Sequence, residues 1–221
     1  MQKFTLILIS VMLMINTEAQ TLSDSTVYNK GLRIIESSRT VQDYLSAAGY
    51  FDDLTWKKQN EWLAPLYAGL SYILASFNES DVKLKDELCD KAQVYIDSAN
   101  LRHADASELA ALQAFLYQSR IDVNPTERGL SYSLKADSEI KKAEAVNPND
   151  PRPYFLYGMN VYYTPKLFGG GAEKALPLFE KAAGKFNEFV PKMPFMPHWG
   201  KQQNLEMIAK CKKVVEEKGN K

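Results

Sequence analysis

The sequence contains few residues of the kinds that carry chemistry, since only two histidines and two cysteines occur among its 221 residues. Neither His103 nor His198 has a Cys, Asp or Glu at the spacing that metal ligands take on one helix. A nucleophile elbow, a phosphate-binding loop and a dinucleotide fingerprint are also missing from the sequence. We therefore predict no enzymatic activity, no metal site and no cofactor.

The sequence also has no excess of either charge. Lys plus Arg and Asp plus Glu number 27 each, and neither sign forms a long block. A nucleic-acid-binding surface needs clustered basic residues that displace counterions from the phosphates. This composition excludes nucleic acid as the expected partner.

The first residues have the pattern of an export signal. Lys3 precedes an apolar run over residues 4–15, and small residues suited to a signal peptidase end at Ala19. The run is shorter than the roughly 20 residues that a membrane-spanning helix needs. We predict a signal peptide over 1–19, cleaved after Ala19, and one domain over 20–221. The mature chain is then periplasmic or secreted, with no membrane span.

Apolar residues recur at three- and four-residue spacing through the rest of the chain, whereas the alternation typical of strands is missing. Asp81 and Asp105 are expected to cap helices, and Pro125 and Pro151 fall near helix starts. The predicted helices span 24–37, 40–54, 60–77, 81–100, 106–121, 127–146, 151–164, 172–186 and 200–217.

Four of these helices share a trio of residues at offsets of four and three, which places each trio on one helix face. The trio consists of Ala, a bulky apolar residue and a small or apolar residue, and it recurs at intervals of 45, 44 and 39 residues. The four trios are Ala47, Phe51 and Leu54; Ala92, Ile96 and Ala99; Ala136, Ile140 and Ala143; Ala175, Phe179 and Ala182.

The pattern resembles the tetratricopeptide repeat. In the last unit, Tyr154, Tyr157, Gly158 and Val161 occupy the places of the family's first helix, and the trio at 175–182 occupies those of its second. The units are longer than the family's roughly 34 residues. The resemblance implies an all-α superhelix, a TPR-like solenoid of about four helix pairs with a C-terminal capping helix. The segment 168–182 also resembles repeat proteins of the bacterial envelope, including a periplasmic component associated with tripartite substrate transporters.

In the resembling family the first helices line a concave groove, and this implies a binding site here. The expected contacts on that face are Phe155, Met159, Tyr162, Phe115, Leu70 and Arg152. We expect a non-catalytic module that holds a protein segment or a hydrophobic ligand there. The alternative is an accessory component of an envelope transporter that binds a small organic anion or a lipid. The C-terminal helix either fills the groove or caps the last pair.

Two loops and the cysteines complete the predictions. Gly169, Gly170 and Gly171 precede a helix, so their N–H groups form either an anion site or simply a permissive turn. The proline-rich loop 191–200 either packs under the last helix pair or displays an apolar contact. Cys89 and Cys211 lie on apolar helix faces and far apart in a serial stack, so we expect two buried free thiols.

Overall fold

The computed structural model describes residues 25–193 and 195–219. The predicted signal peptide and its cleavage site lie outside the described residues. Within them the chain is entirely helical, apart from loops. The α-helices are α1 (25–37), α2 (Val41–Lys57), α3 (Leu63–Asn78), α4 (Val82–Leu101), α5 (Ala106–Val123), α6 (Pro125–Val146), α7 (Arg152–Tyr163), α8 (Ala172–Glu188) and α9 (Lys201–Gly219), and Lys166–Phe168 forms a short 3₁₀ turn.

The helix starts follow from the capping residues that the sequence supplies. The Asp81 side chain accepts from two N–H groups in the first turn of α4, and Asp105 does the same for α5. Asn124 caps α6, whose first residue is Pro125, a position where the missing N–H costs nothing. The predicted all-α fold and the order of its helices are confirmed.

The helices pack as antiparallel pairs in series, and the first helices of the pairs form an inner layer. α3 packs against α5 and α5 against α7, while each helix from α2 to α9 also packs against its neighbour in sequence. Tyr28 of α1 contacts Tyr67 of α3, with ring centroids 6.4 Å apart. We call the surface of α1, α3, α5 and α7 that faces away from the second helices the inner face.

The repeated trios hold each pair together, and all twelve of their side chains are buried. Where the bulky residue of a trio is a phenylalanine, its ring lies against the backbone of the preceding helix, at a position that has no side chain. A Cβ atom on Gly158 would come within 2.7 Å of the Phe179 ring, and one on Gly31 would overlap the Phe51 ring. Glycine at these two positions therefore allows α7 and α1 to pack directly on the aromatic ring of the following helix.

α9 packs on α8 and covers the last pair. Met207 and Cys211 of α9 are buried, and the Asn204 amide donates to the Phe179 carbonyl oxygen at 3.0 Å. The C-terminal helix therefore caps the stack, which settles the two alternatives left by the sequence. Cys89 and Cys211 are both free and buried, as predicted. No helix among the described residues is both long and apolar enough to cross a membrane.

Candidate ligand-binding site

The segment 189–200 crosses the inner face, and we call it the strap. It leaves the end of α8, reaches α1 and α3, and returns to the start of α9. Its Phe195 ring stacks on Tyr28, with centroids 5.4 Å apart and planes 16° apart. The Tyr67 hydroxyl donates a 2.7 Å hydrogen bond to the Phe195 carbonyl oxygen. Burial raises the pKa of Tyr67 well above its ordinary value, so this hydroxyl stays a donor.

The returning part of the strap lies on α5 and α7. The Trp199 indole stacks on Phe115, with centroids 5.0 Å apart and planes 18° apart. The Arg152 guanidinium carbon lies 5.5 Å from the centre of the indole. Gly200 has φ +102°, and a Cβ there would come within 3.2 Å of Phe186 and 3.3 Å of Phe155. The strap thus covers the half of the inner face nearer to the starts of α5 and α7.

Arg152 is fully buried and shared between two carboxylates. Its guanidinium donates to both oxygens of Glu108 at 2.6 and 2.7 Å and to those of Asp150 at 2.9 and 2.6 Å. One cation against two carboxylates leaves a net negative charge in the cluster. Burial raises the pKa of Glu108, and the adjacent Arg152 opposes this without cancelling it.

Beyond the strap, the inner face opens at the end of α7. Met159 and Tyr162 follow Phe155 by one and two helical turns, and both are half-buried. The next residues are more exposed: Tyr163 by 66%, Leu167 by 88% and Phe168 by 76%. We call Met159, Tyr162, Tyr163, Leu167 and Phe168 the aromatic end.

The loop that carries Leu167 and Phe168 is tied back to α7. The Gly171 N–H donates to the Val161 carbonyl oxygen at 2.8 Å, and the rings of Tyr162 and Tyr163 meet edge to face at 5.0 Å. Exposed apolar side chains grouped in this way mark binding surfaces. The aromatic end is therefore an exposed apolar surface next to the end of α7.

The structure divides the residues predicted to bind a ligand into two groups. Leu70, Phe115, Phe155 and Arg152 are buried, so the groove is not open to solvent at these four positions. The reason is that aromatic side chains of the strap gain more by lying on this apolar face than by remaining in water. Met159 and Tyr162 remain half-buried at the open end. The role of all six in binding stays a prediction.

The strap's role was the part of the site that sequence reasoning left undecided. The signal was the presence of Phe195, Met196 and Trp199 in a segment whose prolines prevent a helix. Nothing in the sequence showed that the strap reaches α1 and α3, because those contacts join residues more than one hundred positions apart. The hydrogen bond from Tyr67 to Phe195, for example, spans 128 positions.

The glycine turn uses its own donors internally. The N–H groups of Gly169, Gly170 and Gly171 donate to the carbonyl oxygens of Lys166, Pro165 and Val161. Gly169 and Gly171 have φ of +84° and +99°, which only glycine adopts at low cost. The geometry favours a permissive turn over the anion site.

A separate cavity of about 510 Å³ lies between the strap and the loops before α5 and α7. Its charged lining consists of Asp105, Glu108, Glu188, Lys185 and Lys192. Three carboxylates beside two lysines make this cavity a poorer place for an apolar or anionic ligand than the aromatic end.

Both histidines are exposed. His103 has φ +59° in the turn before α5, and His198 lies on the strap, where its Nδ1 is 2.9 Å from the Met196 carbonyl oxygen. A carbonyl oxygen only accepts, so Nδ1 carries a proton in this arrangement. The described part of the chain contains no group of three or more His, Cys, Asp or Glu residues arranged to hold a metal ion.

Comparison with known proteins places this geometry in a family. No protein-family profile matches the chain, and no curated protein sequence matches it. Among solved structures, the chain is similar to the HusA haemophore from Porphyromonas gingivalis, with 30% sequence identity and a TM-score of 0.76. The match covers 86% of this chain and 93% of HusA. The chain belongs to the HusA family. The two proteins therefore share an all-helical fold.

Proposed function

We propose that this protein is an exported, non-catalytic haem carrier that binds haem at the aromatic end. The observation that carries the proposal is the similarity to HusA over 93% of that protein's chain, since a haemophore is by name a haem-carrying protein. The TPR-like character of the repeats and the signal peptide over 1–19 belong to the same proposal. Haem is hydrophobic and also carries carboxylates. It therefore fits both the hydrophobic ligand and the small organic anion that were expected from the sequence.

The aromatic end fits the flat apolar part of haem. Tyr163, Leu167 and Phe168 present exposed apolar surface, and the half-buried Met159 and Tyr162 connect it to the inner face. Covering apolar surface stabilises a complex by about 25 cal/mol for each Å² removed from water. Aromatic side chains add offset or edge-to-face contacts with another ring system.

The loop of the aromatic end carries one lysine. Lys166 is the only charged residue in the sequence between 159 and 171. Its aliphatic stem passes along Gly171, where an added Cβ would lie 3.1 Å from the Lys166 Cγ. A propionate near this loop would meet this lysine and would also lie near Asp122, whose charge contributes to the raised pKa of Tyr163.

The aromatic end also contains donor atoms that bind haem iron in proteins, namely a thioether and phenols. Met159 supplies the thioether, while Tyr162 and Tyr163 supply phenols. Burial, together with the neighbouring Tyr162 and Asp122, raises the pKa of Tyr163. An unliganded Tyr163 is therefore a neutral phenol, and iron would have to displace its proton. Met159 needs no such step.

A small planar ligand fits the free surface better than a peptide does. An extended peptide or an amphipathic helix needs a long groove. Phe195 and Trp199 of the strap already occupy the half of the inner face where such a segment would begin. What remains is a short apolar surface at one end.

Haem titration followed by absorbance in the Soret region tests the proposal. The double variant Met159→Ala/Tyr162→Ala is expected to bind haem at least about tenfold more weakly, which corresponds to about 1.4 kcal/mol. Its melting temperature should stay close to that of the wild type, because both side chains are half-buried at the edge of the stack. Tyr132→Ala, which removes a half-buried ring from α6, is the matched control.

Three results would count against this proposal. The first is a wild-type chain that leaves the haem spectrum unchanged. The second is a double variant whose affinity equals that of Tyr132→Ala. The third is a loss of melting temperature that parallels the loss of affinity, which would make Met159 and Tyr162 core residues.

A further inference from the structure

We propose that the haem site extends beneath the strap, and that Trp199 occupies in the free protein a place that the macrocycle takes in the complex. This inference rests on the proposed function. It makes the strap an internal competitor for the ligand, and it gives the buried members of the predicted site a role in binding.

The present surroundings of Trp199 are those that a planar aromatic ligand would use. The Phe115 ring lies nearly parallel to the indole, with centroids 5.0 Å apart. The Arg152 guanidinium carbon lies 5.5 Å from the indole centre, and its hydrogen bonds go to Glu108 and Asp150. Both an aromatic ring and a guanidinium plane stack on a planar π-system, so both contacts suit the flat face of a tetrapyrrole.

The floor under the strap continues the aromatic end. Phe155 lies one helical turn before Met159 on α7, and it contacts the strap at Gly200. Phe77 of α3 meets Phe115 with ring centroids 5.1 Å apart. Lifting Trp199 would therefore join Phe115 and Phe155 to Met159 in one apolar surface, large enough for more of the macrocycle than the aromatic end alone covers.

The strap is held in a way that allows it to lift. Its described residues, 189–193 and 195–200, form no helix or strand, so lifting them breaks no helix. The Tyr67 hydroxyl anchors its backbone at Phe195, and the contacts of Trp199 are between side chains. Segments with few backbone hydrogen bonds are the ones that open at low free energy.

A competing strap lowers the apparent affinity in proportion to the fraction of molecules in which it is lifted. Loosening the strap must then tighten haem binding. Trp199→Ala is expected to lower the apparent Kd by about tenfold. Tyr67→Phe removes the hydroxyl anchor while keeping its ring, and it should change the Kd in the same direction by a smaller factor. Trp56→Ala removes a tryptophan that is 70% exposed on α2, and it should leave the Kd unchanged.

Soret titration of the four full-length chains, with haem as the probe, measures these affinities. Tighter binding by both Trp199→Ala and Tyr67→Phe, with Trp56→Ala unchanged, supports the competition. If the wild type binds haem but these two variants bind equally or more weakly, the strap is not a competitor and only this inference falls. If no chain binds haem, the proposed function itself has failed.

Stopped-flow mixing with excess haem gives a second readout that does not depend on how stable the variants are. Opening before binding makes the observed rate level off as haem concentration rises in the wild type. In Trp199→Ala the rate should rise linearly over the same range. A linear rise in the wild type would contradict the inference.

Discussion

The covered half of the inner face and the aromatic end differ in what lies over them. Phe115 and Phe155 lie beneath the strap and are buried, whereas Tyr163, at the end of α7, and Phe168, in the turn that follows, are exposed. Phe155 and Tyr163 belong to the same helix, so the helix alone does not account for the difference. A remote segment, 189–200, decides which part of the face is free to meet a ligand. Burial on an inner face therefore cannot be judged from one repeat alone.

The largest expected effect separates the strap from the core. Phe179→Ala removes a ring packed between α7 and α8, and it should lower the free energy of unfolding by about 3–5 kcal/mol. Phe195→Ala should cost less, because the strap can lift while the helix pairs stay packed. Urea denaturation of both variants measures the two values. If both variants lose the same free energy of unfolding, the strap is part of the core, and the contrast between the covered half of the inner face and the aromatic end disappears.

An intermediate effect concerns the charged cluster beneath the strap. Since the pKa of Glu108 is raised in the folded protein, protonating Glu108 favours folding. Its contribution to stability is complete below the unfolded pKa of about 4.5 and is lost as pH rises through the folded value. The stability of the wild type relative to Glu108→Gln should therefore fall as the pH rises above about 4.5.

Urea denaturation of both chains across this pH range provides the measurement. Arg33→Gln, at an exposed position on α1, controls for a general change of surface charge. If the relative stability of the wild type rises with pH instead, the ion pair with Arg152 outweighs burial, and the covered half would be held by charge rather than by its apolar contacts.

The smallest expected effect on stability lies at the aromatic end. Phe168→Ser should change the free energy of unfolding by no more than about 0.5 kcal/mol, because this side chain is 76% exposed. Its affinity for haem should nevertheless fall. Leu101→Ser, at a position 80% exposed at the end of α4 and outside both the strap and the aromatic end, is the matched control and should alter neither quantity. A similar affinity in both variants would remove Phe168 from the site.

The helices could be predicted because their signals are local. Asp81 and Asp105 begin helices through hydrogen bonds to residues only two or three positions away. The trio around Phe179 is buried because a single helix face carries all three side chains. The groove residues were less predictable, since Phe155 and Met159 follow the same pattern but only Met159 reaches solvent.

The sequence by itself determined the helical fold, the serial pairing of helices and the burial of the small residues between them, because each depends on side chains within a turn or a hairpin. Only the tertiary structure decided that α9 caps the stack and that the strap covers half of the inner face. Those outcomes depend on contacts such as Tyr67 with Phe195, which form only after the pairs have stacked and brought distant residues together. Which apolar segment covers the inner face depends on which segments lie close to it in the folded chain, and a local sequence pattern does not contain that information.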